Sequence, residues 1–270
     1  MNEPESPRRG DRIAFIETTL IEPPRVVVRG DVDFRNAHEI TEAVRELMDR
    51  GEKRVDVYLA AVEFMDSSGI SALLDSVNLA RERDARLVLV QPTRELLHLL
   101  EMSGFKPLFE FEGVTAAAPV PQPVTAPVWW QVSEFRVPCH PELVADIRHR
   151  IAEVARSMPF DLEEVEDIKL AVGEAAANAY RYGCPRGAED SIYVRCVGDY
   201  SGLTIEISDP GPGFDPDSVA QPPVGSLTTG GRGIFFMRLT MDKVHFERLD
   251  PGMLVRLVKF LRHHGSSDED

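Results

Sequence analysis

VEFMDSSGISALL, residues 62–74, begins as an apolar strand-like run, breaks at Asp66, Ser67, Ser68 and Gly69, and resumes with Ile70, Leu73 and Leu74 at helical spacing. A strand running directly into a helix is the building unit of an α/β fold, and the flanking sequence repeats the alternation. RVVVR (25–29), VDVYL (55–59) and RLVLV (86–90) are short runs rich in β-branched residues. HEITEAVRELMDRG (38–51) places Ile40, Val44 and Leu47 on one helical face and stops at Gly51. At the strand-to-helix junction the first amides of the helix lack intrahelical partners and attract anions. Capping by Asp66 or a serine is the plain use of such a turn. A phosphate on a serine here would face the positive helix end but also the Asp66 carboxylate, so phosphorylation could change a docking surface without unfolding the domain.

The chain has 270 residues, 43% of them hydrophobic, enough for two domains at roughly 150 residues each. Its net charge is −15, shared between the halves: 15 basic and 22 acidic residues through Gly113, then 15 and 23. That balance argues against nucleic acid as a direct ligand. No run approaches the roughly 18 to 20 apolar residues of a membrane span, and the start, MNEPESPRRGDR, lacks an apolar signal segment. A cytoplasmic protein is expected. Cys139, Cys184 and Cys196 have no paired spacing, which suggests neither a disulfide framework nor a zinc site and predicts small residues in or near a core. GVTAAAPVPQPVTAPV (113–128), with prolines at 119, 121, 123 and 127, reads as a flexible linker. At about 3.1 Å per residue it could span roughly 50 Å. Residues 1–11 and the tail HHGSSDED have nothing to bury.

From Trp129 the pattern is a strand (WWQVSEFRV), a helix over 141–158, a second over 162–182, two strands, a glycine-rich loop, a further helix and a closing strand near 255–260. This half is also α/β. On the second helix Glu174 and Asn178 are four residues apart and emerge on one face. A carboxylate there can take a proton from a hydroxyl, while an amide oxygen one turn on can ligate magnesium. After the apolar run LTIEIS comes DPGPGF (209–214), where Asp209 could accept a hydrogen bond from an exocyclic amine such as that of adenine. Gly211 and Gly213 permit close backbone approach to a ligand. GGRGIFFM (230–237) then sets Gly230, Gly231 and Gly233 ahead of an apolar helix, a phosphate cradle to which Arg232 adds positive charge. The spacing fits neither the Walker nor the Rossmann pattern.

GDVD (30–33), VEFMDSSGISALL (62–74) and ELLHLLEMSGFKPLFEF (95–111) together resemble a STAS domain of the anti-sigma factor antagonist type, over residues 12–112. The resemblance implies a mixed sheet with helices and a phosphoacceptor at Ser68, with Ser67 second, whose phosphate controls binding to a kinase. The blocks DIKLAVGEAAANAYRYG (167–183), DPGPGF and GGRGIFFM, in that order, resemble the GHKL superfamily of Bergerat-fold ATP-binding domains over residues 129–262, and within it the anti-sigma factor serine kinases. This implies a C-terminal α/β sandwich that binds ATP and Mg²⁺. Glu174 would be the general base, Asn178 the magnesium ligand, Asp209 the adenine contact, and Gly211, Gly213, Gly231 and Gly233 loop contacts.

Three positions depart from the family patterns. Tyr58 stands where many antagonists end a strand with aspartate, Tyr182 where kinases often have histidine, and Met253 where they often have threonine. Methionine cannot supply the hydroxyl that helps hold adenine. His140 and His149 are not expected to be phosphoacceptors, because no dimerising helix pair precedes the ATP-binding half. Trp129 and Trp130 alternate across the first strand, one expected to pack and the other to cover a domain or dimer contact. The expectation is a fused partner-switching regulator in which a kinase controls a sigma factor and phosphorylates its own STAS serine or that of a separate STAS partner, possible homodimer included. A non-catalytic ATP-binding switch is the alternative.

Overall fold

The computed structural model describes residues 15–19, 24–113, 131–215 and 232–262. The expected linker (of which Gly113 alone is described), Trp129, Trp130, Gly230 and Gly231 lie outside the described residues. The chain divides into two compact units.

In the first unit a five-stranded sheet runs in the order β1 (Phe15–Thr19), β2 (Arg25–Val32), β3 (Arg54–Met65), β4 (Arg86–Val90) and β5 (Glu110–Glu112). The β1–β2 pair is antiparallel and the others are parallel, giving the mixed sheet that the STAS resemblance implies. Helix α1 (Ala37–Asp49) buries Ile40, Val44 and Leu47 as their spacing predicts. Helix α2 (Ser67–Glu82) packs on α1 and buries Ile70, Leu73 and Leu74 without residual exposure. Each such side chain contributes roughly 1.5–3 kcal/mol relative to an exposed one. Helix α3 (Arg94–Met102) is capped by Thr93, whose hydroxyl accepts from the Leu96 N–H. Strand β3 continues six residues past the VDVYL core to Met65, which lies opposite Val32. GDVD and the DSSG turn therefore meet at one end of the sheet. Tyr58 lies beside Arg25, whose guanidinium is 5.0 Å from the ring centroid.

The second unit is built on a fully antiparallel sheet of order β6 (Gln131–Pro138), β7 (Ser191–Asp199), β8 (Gly202–Asp209), β10 (Gly252–Phe260) and β9 (Lys243–Leu249). Helices α4 (Leu143–Arg156) and α5 (Leu162–Gly183) pack together against it. Asp161 starts α5 through a capping box: its carboxylate accepts from the Glu164 N–H at 2.8 Å while Glu164 accepts from the Asp161 N–H at 3.0 Å. Ala171, Gly173, Ala175, Ala176 and Ala179 keep α5 thin enough to be buried along most of its length. Helix α6 (Arg232–Thr240) precedes β9; its residues through Phe236 group with the first unit and those from Met237 with the second.

The cysteine expectation needs one correction. Cys196 is buried and free as expected, but Cys139 and Cys184 form a disulfide across 45 residues. The chain ends that carry them, one after β6 and one after α5, meet only once α5 has packed on the sheet. Spacing along the sequence could not report that meeting.

Candidate functional site

In the first unit the Asp66 carboxylate caps α2. Its Oδ1 accepts from the N–H groups of Ser68 at 2.7 Å and Gly69 at 3.2 Å, while Oδ2 accepts from the Phe34 N–H at 3.2 Å. The capping use of the turn is thus realised by Asp66, which leaves neither serine needed as the cap. Ser67 is buried and Ser68 is half-buried at the mouth of the helix. Asn36 crosses the adjoining loop, accepting from the Asp33 N–H and donating to the Asp31 carbonyl. Arg35 pairs with Asp33 beside it.

In the second unit the C-terminal half of α5, the turn after β8, and strands β9 and β10 line a partly open pocket. Asn178, Asp209 and Gly213 line it together with Ala175, Tyr182, Gly183, Phe214, Phe246 and Met253. Glu174 lies one helical turn before Asn178 and is buried. Burial raises the Asp209 carboxyl above the ordinary aspartate range, and a hydrogen bond from the Gly211 N–H to Oδ1, at 2.9 Å, opposes the rise. Among the described residues no donor reaches the other Asp209 oxygen and no partner reaches the Asn178 amide. Both polar groups are thus open to a ligand in an otherwise largely apolar pocket, the arrangement expected for a small-molecule site.

Helix and turn are in direct contact. A Cβ added to Gly183 would come 2.1 Å from the Asp209 Cγ, and one added to Gly211 would come 2.4 Å from the Gly183 Cα. Either glycine is therefore required for the approach. Met253 is the register partner of Asp209, next to it in the sheet and on the pocket wall. Phe214 and Phe246 close the pocket with rings edge to face, centroids 5.6 Å apart. The Arg248 guanidinium donates to the Pro212 carbonyl at 3.1 Å and steadies the turn. Tyr182 is 67% exposed at the rim.

Asn178, Asp209 and Gly213 thus converge on one pocket, with Glu174 and Gly211 alongside. Arg232 and Gly233 open α6 but are not part of the described pocket lining, and Gly231 lies outside the described residues. Sequence reasoning did not find Gly183, Phe214 or Phe246. Phe246 carries only the alternating pattern of KVHFERL, an ordinary strand signal. A magnesium ion would find a single protein oxygen at Asn178, which suits a cation held mainly by phosphates and water.

Comparison with known proteins bears on both units. The family model for the STAS domain matches residues 18–118, and that for the histidine kinase-like ATPase domain matches residues 137–259. The serine-protein kinase RsbW of Bacillus subtilis (strain 168) is 31% identical over 136 residues, 47% of this chain and 84% of its own length. The serine-protein kinase RsbW of Bacillus pumilus (strain SAFR-032) is 34% identical over 139 residues, 47% of this chain and 85% of its own. Among solved structures, the anti-sigma factor antagonist SpoIIAA in its unphosphorylated form aligns with a TM-score of 0.31 at 17% identity, over 37% of this chain and 90% of that one. With a pocket that gathers Asn178 and Asp209 and a STAS domain ahead of it, the chain belongs to the family of RsbW serine-protein kinases, as a fusion of a STAS domain with a histidine kinase-like ATPase domain.

Proposed function

We propose that the second domain is an ATP-dependent protein serine kinase that phosphorylates a STAS serine, Ser68 of its own chain or the equivalent in a partner, and so controls the availability of a sigma factor. The observation that carries this reading is the open polar pair in one pocket, the Asn178 amide and the second Asp209 oxygen. Asp209 would accept from the adenine amine and the apolar walls would cover the base. Asn178 would hold Mg²⁺, which neutralises phosphate charge when bound.

Glu174 takes the proton of the attacking serine hydroxyl. The serine oxygen forms its bond to the γ-phosphorus as the bond to the ADP oxygen breaks, and ADP leaves with that electron pair. Gly231, Gly233 and Arg232 would steady the phosphates. We assign residues 12–112 to the antagonist domain, 113–128 to a linker and 129–262 to the kinase, acting in the cytoplasm. Among the described residues no helix is long and apolar enough to cross a membrane.

Intact mass and phosphosite mapping after incubation with Mg-ATP test the reading. The expected product carries one phosphate on Ser68, or on an added STAS protein. Glu174→Ala should lower the rate by roughly 10²-fold or more while ATP still binds. Nucleotide binding with no phosphate transferred to any STAS serine would refute the kinase and leave a binding switch.

A further inference from the structure

Cys184 is the C-cap of α5 and directly follows Gly183, the residue against which Asp209 and Gly211 close. Its disulfide partner, Cys139, directly follows β6, with 6.2 Å between the two Cα atoms, a separation that a disulfide spans readily. The same join carries a second fastening. The Cys139 N–H donates to the Asp190 carbonyl at 3.0 Å, and the Asp190 side chain accepts from the N–H and guanidinium of Arg186. The loop from Cys184 to Asp190 is thereby tied at both ends to Cys139, by sulfur at one and by a single hydrogen bond at the other, while Arg186 and Asp190 brace the loop internally. Since a Cβ has no room at Gly183 or Gly211, displacement of the α5 end by a few tenths of an ångström must move the Asp209 turn as well.

We propose that Cys139 and Cys184 form a redox latch on the nucleotide pocket: as a disulfide they fix the end of α5 that shapes the pocket, and as two thiols they release it and lower the affinity for ATP. The inference rests on the ATP-binding reading of the pocket. Cys139 is 3% exposed whereas Cys184 is half-buried, so an incoming thiolate reaches Cys184 first. A small-molecule thiol such as glutathione attacks the Cys184 sulfur as its thiolate. The bond to Cys139 breaks, and Cys139 leaves with the electron pair and takes a proton. A second thiol then attacks the mixed disulfide, freeing Cys184, which is protonated, and leaving glutathione disulfide. Two electrons and two protons pass to the protein, and glutathione disulfide drives the reverse. Cys196 takes no part: it is buried in β7, and burial pushes its thiol up to about 12, so it forms little thiolate.

The test measures Mg-ATP affinity by calorimetry on the full chain, oxidised with glutathione disulfide or reduced with excess thiol, the cysteine state being read from intact mass. The dithiol form should bind on the order of fivefold more weakly, or worse. By reciprocity, saturating Mg-ATP should shift the glutathione equilibrium toward the disulfide by that same factor. Cys139→Ser with Cys184→Ser should bind weakly under both conditions, and Cys196→Ser should respond as the parent does. Hydrogen exchange should quicken on reduction at residues 180–190 and in the turn 209–213, a local loosening that a merely structural staple would not confine there. Equal ATP affinity in the two forms would overturn the latch alone. Failure of both forms to bind ATP would overturn the nucleotide reading with it, and failure of Cys139 and Cys184 to pair under oxidation would overturn the latch whatever the pocket binds.

Discussion

Burial raises the Asp209 carboxyl above a free aspartate, and the single Gly211 N–H only partly offsets that rise. A raised carboxyl binds its proton more readily in the folded chain than in the unfolded one. Its contribution to stability is therefore full below the unfolded value, about 3.9, and is lost as pH rises through the folded value. Above that raised value the ligand-free domain carries an ionised, half-buried group whose second oxygen awaits a donor. Asp209→Asn should raise the melting temperature of the ligand-free protein at pH 7, because the amide keeps an oxygen for Gly211 without the charge. The same substitution should weaken ATP binding by about 10- to 100-fold through loss of a charge-assisted hydrogen bond. Calorimetry and thermal melting on one sample check both; a variant less stable and equally able to bind ATP would contradict the argument. Asp209 and Asn178 were legible because polar residues on a pocket wall stand out within apolar or glycine-rich runs. Gly183 was not, since its role comes from a turn 26 residues later in the chain, at Asp209. Nor was the pairing of Cys139 with Cys184, for the same reason of distance along the chain.

Among the elements, β10, α5 and α6 are joined by one buried ammonium. Lys259 donates to the Asp167 carboxylate at 2.8 Å and to the Thr240 carbonyl at 2.7 Å. Removing the charge on one side of such a buried pair takes from the other the counter-ion it is bonded to. Lys259→Met should cost about 3–5 kcal/mol, read from the urea midpoint at unchanged slope; a loss below about 1 kcal/mol would mean that the pair is solvated as a surface bridge is. The loop after α5 gives a second test. The Arg186 guanidinium and N–H hold the Asp190 carboxyl below the usual aspartate range. Its stabilisation is present above the unfolded value near 3.9 and disappears as pH falls through the lower folded one. Asp190→Asn should accordingly flatten the acid limb of the stability curve below about pH 4 and leave its slope at higher pH unchanged. Long elements could be read directly from sequence: α5 was expected over 162–182 and spans Leu162–Gly183. The edge strands β1, β5 and β9 were harder. β1 and β5 are five and three residues long, and β9 keeps most of its side chains in solvent, so the burial pattern that marks a strand is weak there.

For the whole molecule the question is what fusion would add to the proposed kinase and the STAS domain ahead of it. As separate proteins the two would meet at a rate set by concentration, and both carry excess acidic charge, which gives no long-range attraction. Joined by a Pro-rich segment that can reach roughly 50 Å, the serine and the pocket would face each other at an effective concentration in the mM range. Phosphorylation of Ser68 would then be first order, the fraction modified per minute remaining constant on dilution. A protease site inserted between Ala116 and Pro127 and cleaved after purification should leave both domains folded while making the rate fall in proportion to concentration. Mass spectrometry of Ser68 over a hundredfold dilution series, cut and uncut, separates the cases. A rate that falls with dilution in the uncut chain would show transfer between molecules, with the fused antagonist serving to dock a second copy. A rate indifferent to both dilution and cutting would mean that the domains remain associated without the tether, and that the linker contributes no proximity of its own.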